Sequence, residues 1–304
     1  MLNGVLLGPG RMAEARDEAA VEVARAPEPV GPPETIIRPP SGWHLVNVRE
    51  LWRYRELLFF LVWRDVKIRY KQTVLGVAWA VLQPVLMMAV FTVFFGRLAG
   101  LPSGGVPYPL FAFAGLLPWM FFSASLAAAG NSVVASERLI TKIYFPRLAV
   151  PFAAVGAAAV DFLIACGLLL VLMAAYGVAP GWSILLAPVV FLFIAIAGLG
   201  FGTLLAALNV KYRDFRYVIP FLVQFWMFAT PTVYMQPPTE ADSALHTLLN
   251  LNPLTGLISG FRAVCLGTEV AWGQFALSAA FVTVVFAAGC LYFRKAEDEF
   301  ADII

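Results

Sequence analysis

The sequence predicts an all-α integral membrane protein: six transmembrane helices, an amphipathic interfacial helix before the first, and a re-entrant helical hairpin before the last. Three observations predict it. Hydrophobic residues fill 61% of the 304 positions and charged residues only 13%, against about 25% charged in soluble domains, so a bilayer must serve as solvent. Six stretches are apolar over the roughly 20 residues that a crossing takes. Nineteen of the 21 Lys and Arg fall on one side of the alternating connections, and only Arg97 and Arg262 on the other.

Residues 1–42 form a separate zone. Glu14, Asp17, Glu18 and Glu22 are acidic, and Pro27, Pro29, Pro32, Pro33, Pro39 and Pro40 crowd its end. Such a segment buries too little to offset its ordering, and a disordered tail is expected, with room for one short helix near Arg11–Arg25. Met1–Gly10 has no basic start followed by a long apolar stretch, so no signal peptide is expected.

In residues 43–73, Asn47 can cap a helix with Glu50 as its reciprocal partner. Trp52, Phe59, Phe60, Trp63 and Tyr70 then alternate with Arg49, Arg53, Arg55, Arg64, Lys67, Arg69 and Lys71. An apolar face with aromatic anchors and a basic face suits a helix lying in the membrane interface. A basic juxtamembrane linker is the plainer alternative.

The spans are expected at Val74–Gly96, Pro109–Gly130, Leu148–Tyr176, Ser183–Leu208, Tyr217–Met235 and Ala271–Phe293. The excess of Lys and Arg orients them with both termini cytosolic, and residues 294–304 form a second cytosolic tail. Asp161 is the one charge inside a span. An intramembrane carboxylate costs about 2.5–3.5 kcal/mol at a helix centre on insertion scales. No Lys or Arg shares its assigned depth, so hydroxyls, amides or water are its expected partners; a place in a translocation path is the sharper alternative. Gly198, Gly200 and Gly202 lie in an apolar span without the strand of a dinucleotide site, and read as small residues that let helices approach closely.

Several function classes find no support. The phosphate-cradling Gly-x-x-x-x-Gly-Lys-Ser/Thr loop is missing from the sequence. Cys166, Cys265, Cys290, His44 and His246 are scattered, without the spacing of a metal site or disulfide framework. No Ser/His/Asp set or carboxylate pair is grouped, so no catalytic residue is assigned. A net charge of +2 gives no reason to expect nucleic acid.

Two connections stand out. Between spans two and three, Ser136 can start and Pro146 can stop a short helix in which Leu139, Ile140, Ile143 and Tyr144 recur at helical spacing. A half-apolar helix in the cytosol must dock on something: lipid, or a soluble partner that would meet Glu137, Arg138, Ile140, Lys142, Tyr144, Phe145, Pro146 and Arg147. Residues 236–270 form the longest connection between spans. Ser243–Leu251 and Leu254–Leu266 are mostly apolar yet too short to cross, and Asn252-Pro253 breaks them. A seventh crossing would put Arg294 and Lys295 outside, so two short helices dipping into the outer leaflet fit better. Their tip must be buried in protein or face water. Asn252, Pro253, Gly260 and Arg262 would then form an external gate, with Arg262 near the outer surface.

Aromatics mark two of the spans. Trp119 and Phe122 in span two, and Phe225, Trp226, Phe228 and Tyr234 in or near span five, offer flat rings that could line a wide passage; Gln224 adds polarity, and Asp161 completes the candidate channel lining. The same rings could face lipid or pack helices.

Four motifs in order carry a resemblance. Arg69-Tyr-Lys-Gln-Thr-Val-Leu-Gly76 with Trp79 and Gln83-Pro84, Leu139-Ile-Thr-Lys-Ile-Tyr-Phe-Pro-Arg147, Asn209-Val-Lys-Tyr-Arg-Asp214, and Asn252-Pro-Leu leading to Gly260-Phe-Arg262 together resemble the ABC-2 type permeases of polysaccharide and polyol-phosphate export, from about Trp43 to Phe293. The resemblance implies a homodimer in a bacterial or archaeal cytoplasmic membrane. Each subunit would dock through its Glu137–Arg147 coupling helix on one of two separate ATP-binding subunits, which carry the ATP and Mg. This chain would bind no cofactor itself, and the cargo would be a lipid-linked glycan of O-antigen, capsule or teichoic-acid type. A drug or lipid exporter of the same architecture is the nearest competitor. An ion-coupled transporter would want more intramembrane charges than Asp161, and a non-transporting anchor for glycosyltransferases would lack ATPase coupling.

Overall fold

The computed structural model describes residues 48–71, 76, 78–234, 249, 251–297 and 300. The expected 1–42 tail, the Asn47 cap, most of the hairpin's first limb and residues 301–304 lie outside these. Among the described residues the chain forms ten α-helices and no strand. They are α1 (Val48–Arg53), α2 (Arg55–Lys71), α3 (Ala78–Phe91, continued as a π-helix over Thr92–Leu98), α4 (Tyr108–Ala135) and α5 (Glu137–Ile140). After these come α6 (Ala149–Ala175), α7 (Ala187–Lys211, entered through a 3-10 turn at Trp182–Leu186), α8 (Phe215–Phe228), α9 (Pro253–Leu266) and α10 (Trp272–Glu297).

Five of these segments are long and apolar enough to cross a membrane: Ala78–Leu98, Tyr108–Ala135, Ala149–Ala175, Trp182–Lys211 and Trp272–Glu297. The fifth expected span, Tyr217–Met235, is helical over only part of its length. Its helix stops at Phe228, and the described chain is non-helical through Tyr234. Fourteen residues of helix reach about 21 Å at 1.5 Å each, short of the roughly 30 Å hydrocarbon core. Pro231 explains the stop, since a proline disfavours helix in the residue before it.

Helix α4 is the hub. It is buried nearly end to end, from Leu110 to Val133, as befits a helix apolar on every face. Helix α7 lies between α4 and α10, and its three glycines make that possible. A β-carbon on Gly198 would sit 2.8 Å from Ser125 Cβ, and one on Gly202 2.6 Å from Ala129 Cβ, both on α4; one on Gly200 would sit 2.7 Å from Phe286 Cα on α10. Inside a membrane, where lipid is as apolar as leucine, such close approach supplies the packing that holds helices together.

Two apolar clusters result. The larger runs through the body of the bundle around Phe113, Phe121, Phe122, Phe162, Ile194, Ile219 and Phe261. The smaller gathers Leu61, Val133, Ile140, Phe145, Leu148, Val210, Phe293 and Phe300 at one end. Helix α9, the second limb of the expected hairpin, is buried at all its positions but Ser259. It ends on Gly267 at φ 71°, a left-handed stop whose N–H bonds the Ala263 carbonyl; that conformation suits glycine, and α10 begins a few residues later.

Candidate functional site

The non-helical end of the fifth apolar segment is the most elaborately held part of the molecule. Backbone at membrane depth must find partners within the protein. Here four backbone carbonyls and one hydroxyl between Ala229 and Val233 find them on side chains of other elements. Asn252 Nδ2 donates to the Ala229 carbonyl at 2.9 Å and to Thr230 Oγ1 at 2.8 Å. Arg262 Nη2 donates to the carbonyls of Pro231, at 3.3 Å, and Thr232. The Tyr108 hydroxyl donates to the Val233 carbonyl at 2.7 Å.

Asn252 also caps α9, its Oδ1 accepting from Leu254 N at 3.1 Å and from Trp226 Nε1 at 3.0 Å. Asparagine as N-cap, followed by proline at the first helical position, is a strong start signal, and here the same amide ties that start to α8. Gly260 lets Phe275 approach: a β-carbon would meet its ring carbon at 3.1 Å.

Arg262 is buried, at 8% exposure. Its guanidinium lies 4.0 Å from the centre of the Phe111 ring, above Gly115, where any side chain would strike it and the Thr232 carbonyl. The cation meets carbonyls of the non-helical chain beyond α8 and the face of a ring. Of the four expected gate residues, Asn252 and Arg262 therefore brace the end of span five, Pro253 opens α9, and Gly260 packs it on α10. Tyr108, Phe111 and Gly115 belong to the same arrangement and carry no signal in the sequence.

The expected channel residues divide. On α8, Tyr217, Phe221, Gln224, Phe225 and Phe228 share one exposed face, while Ile219 and Trp226 turn inward. Phe221 and Phe225 stack at 6.5 Å. Trp119 and Phe122, expected on the lining, are corrected: both are core residues, at 3% and 0% exposure. Phe122 packs edge-on against Phe201 and Trp226, because α4 is surrounded by its neighbours. Trp226 is part-buried at its bond to Asn252, and Tyr234 is half-buried.

The loop after α4 differs from its expectation as well. Its helix, α5, is a single turn, followed by turns up to Arg147. Ile140 and Phe145 face into the small cluster, whereas Glu137, Arg138, Lys142, Ile143 and Tyr144 are exposed. The backbone N–H of Arg147 meets Glu297 Oε1 at 3.3 Å and its guanidinium bonds the Glu297 carbonyl, which fastens the loop, with half-buried Pro146, to the end of α10.

Against known families, residues 56–266 match the ABC-2 type transporter model. The chain belongs to the ABC-2 type transporter family. It is 35% identical over 261 residues to the O-antigen export system permease protein RfbA of Myxococcus xanthus, covering 84% of this chain and 98% of that protein. Two Klebsiella pneumoniae proteins of the same name are each 24% identical over 82% of this chain and 95% of their own length. The ABC-2 match begins within α2 and ends with α9, so it takes in the Glu137–Arg147 loop and the braced end of span five.

Helix α2 opens this ABC-2 region and brings the largest correction. Apolar and basic residues divide along its length rather than around its girth: Leu57 to Trp63 are uncharged, and Arg64, Lys67, Arg69 and Lys71 follow. Trp52 and Trp63 are exposed, and Arg64 pairs with its neighbour Asp65 at 2.9 Å. Rather than keeping apart from the spans, α2 runs along α6, so Arg69 and Tyr70 both bond the Asp161 carboxylate. The expectation that no cation shares the depth of Asp161 fails because it placed α2 wholly at the interface.

Proposed function

We propose that this chain is the membrane subunit of an ATP-driven exporter that moves a lipid-linked polysaccharide across a bacterial or archaeal cytoplasmic membrane through a homodimeric channel. The observation that carries the reading is the collinear 35% identity to an O-antigen export permease over 98% of that protein. The site chemistry supports it. An exposed ladder of rings with one amide on α8 suits sugar faces, which such rings hold loosely enough to let slide. Span one is left with Trp79, Leu86, Val90, Phe94 and Leu98 exposed, a face that a second copy would cover.

With no phosphate-binding loop in the sequence, energy comes from a separate ATP-binding subunit docked on Glu137, Arg138, Lys142, Ile143 and Tyr144. The distribution of Lys and Arg places that loop and both termini in the cytosol. The test is reconstitution in vesicles with the cognate ATPase and a lipid-linked glycan. ATP should drive glycan to the far side, and the chain alone should turn over no ATP. ATP turnover by the chain free of contaminating ATPase would reject the division of labour. Unchanged surface glycan in cells lacking the chain, together with new drug sensitivity, would move the cargo to another class.

A further inference from the structure

Helix α2 is held at two places. Leu61 sits in the small apolar cluster with Ile140, Phe145, Leu148 and Phe293, at 2% exposure. Arg69 and Tyr70 close on Asp161. Between these points Val62 lies on Gly156: a β-carbon there would come 2.9 Å from Val62 Cγ2 and 3.9 Å from Val62 Cβ. Contacts advance together, Val62 to Arg69 on one helix and Gly156 to Asp161 on the other, so α2 and α6 run side by side in the same direction. Span one opens at Ala78, soon after α2 ends at Lys71. The middle of α2 therefore shares a cluster with the docking loop, and its far end leads into span one.

Depth explains the need for the second contact. From Asp161 to Ala175 the helix rises about 21 Å at 1.5 Å per residue. With Ala175 at the far edge of a roughly 30 Å hydrocarbon core, Asp161 falls about 9 Å inside the near edge. A carboxylate there needs a partner, and the Arg69 guanidinium and the Tyr70 hydroxyl supply it.

We infer that Arg69, Tyr70 and Asp161 are positioning residues of export: they clamp α2 to α6, so that α2, the docking loop and span three move as one body and carry a displacement of the loop to the start of span one. This rests on the export reading above and adds the route of transmission.

Two arms test it in the assembled complex with its ATPase. The first breaks the clamp. Arg69→Asp and Asp161→Arg should each keep co-purification with the ATPase and its ATP turnover within twofold, yet lower export at least tenfold; the double exchange should recover at least a third of it. Export unchanged by either single substitution, or no recovery in the exchange, overturns the clamp. The second arm locks it. Val62→Cys with Gly156→Cys in a cysteine-free background has the roughly 3.5–4.5 Å Cβ separation of a disulfide. Oxidation should leave export within twofold, because the linked helices already move together. Loss of export on linking, or a several-fold fall in linking yield when ATP binds, overturns the clamp even if the charge variants fail to insert. An unsubstituted complex that does not export under ATP rejects the export reading instead, while the linking yield, which needs no substrate, still judges the clamp.

Discussion

Span two and span five are both built from apolar and aromatic residues, and the structure treats them in opposite ways. On α4, Trp119, Phe121 and Phe122 vanish into the bundle; on α8, Phe221, Phe225 and Phe228 stand exposed. Residue type does not separate them. Surroundings do: α4 has α3, α6, α7, α8 and α9 around it, whereas α8 is held from one side and at its end. An aromatic ring in a span is thus a packing unit or an open surface according to how many neighbours its helix has, a property of the whole fold.

The contrast breaks most clearly at Phe122. Removing a fully buried ring leaves a cavity, and Phe122→Ala is expected to cost about 3–5 kcal/mol. Thermal unfolding in detergent should show a large drop in midpoint. A midpoint unchanged within error would mean that Phe122 lines an open space after all.

The braced end of span five comes next. Arg262→Met leaves the Pro231 and Thr232 carbonyls without their donor, at about 1–3 kcal/mol for each buried group. Arg262→Lys keeps the charge but loses the planar fork and its stacking on Phe111, and should fall between. Asn252→Ala should resemble Arg262→Met, because it releases Trp226, Ala229 and Thr230 together and removes a helix cap worth about 1 kcal/mol. Equal stability of Arg262→Met and wild type would reject the brace.

These two cases show what the sequence made legible. Membrane class, helical content and most spans follow from long apolar stretches, which need no tertiary information. The start of α9 was legible too, since Asn252-Pro253 is a local signal. Arg262 drew attention through the Gly260-Phe-Arg262 motif, but its burial did not follow, because its partners at Phe111, Pro231 and Thr232 lie far off in the chain. Asp161 was misjudged for a similar reason: its partner Arg69 is 92 residues away. The one-sidedness of α8 was not read: Trp226 was expected on the lining beside Phe225 and Phe228, yet it turns inward with Ile219, and periodicity alone cannot say which side is open.

The loop proposed for docking, Glu137–Arg147, offers a smaller contrast of the same kind within one short segment. Ile140 faces inward and Ile143 with Tyr144 outward. Ile140→Asp buries an unpaired charge and should destabilise the subunit itself, by several kcal/mol if the carboxylate stays ionised. Ile143→Asp with Tyr144→Ala should change stability by no more than about 0.5 kcal/mol, the usual range for surface positions, while weakening binding of the ATPase at least tenfold in a pull-down titration. Unchanged binding by the outward pair would remove these residues from the docking face.

The smallest effect on stability is expected where the effect on transport is most telling. Phe225→Ala with Phe228→Ala strips two rings from the exposed face of α8, and neither ring is in the core. Lipid solvates a ring about as well as it solvates a methyl group, so the subunit alone should lose no more than about 0.5 kcal/mol. If that face lines the passage, export of a glycan should slow several-fold at unchanged ATP turnover, because each passing sugar loses a flat surface to slide on. Phe225→Tyr with Phe228→Tyr, which keeps the rings, should restore it. A dimer interface would behave differently: the double alanine would then shift the dimer to monomer on gel filtration, and tyrosines with newly buried hydroxyls would not rescue it. Loss of dimer without rescue would assign the face to the partner subunit; slowed export in an intact dimer, rescued by tyrosine, assigns it to the cargo.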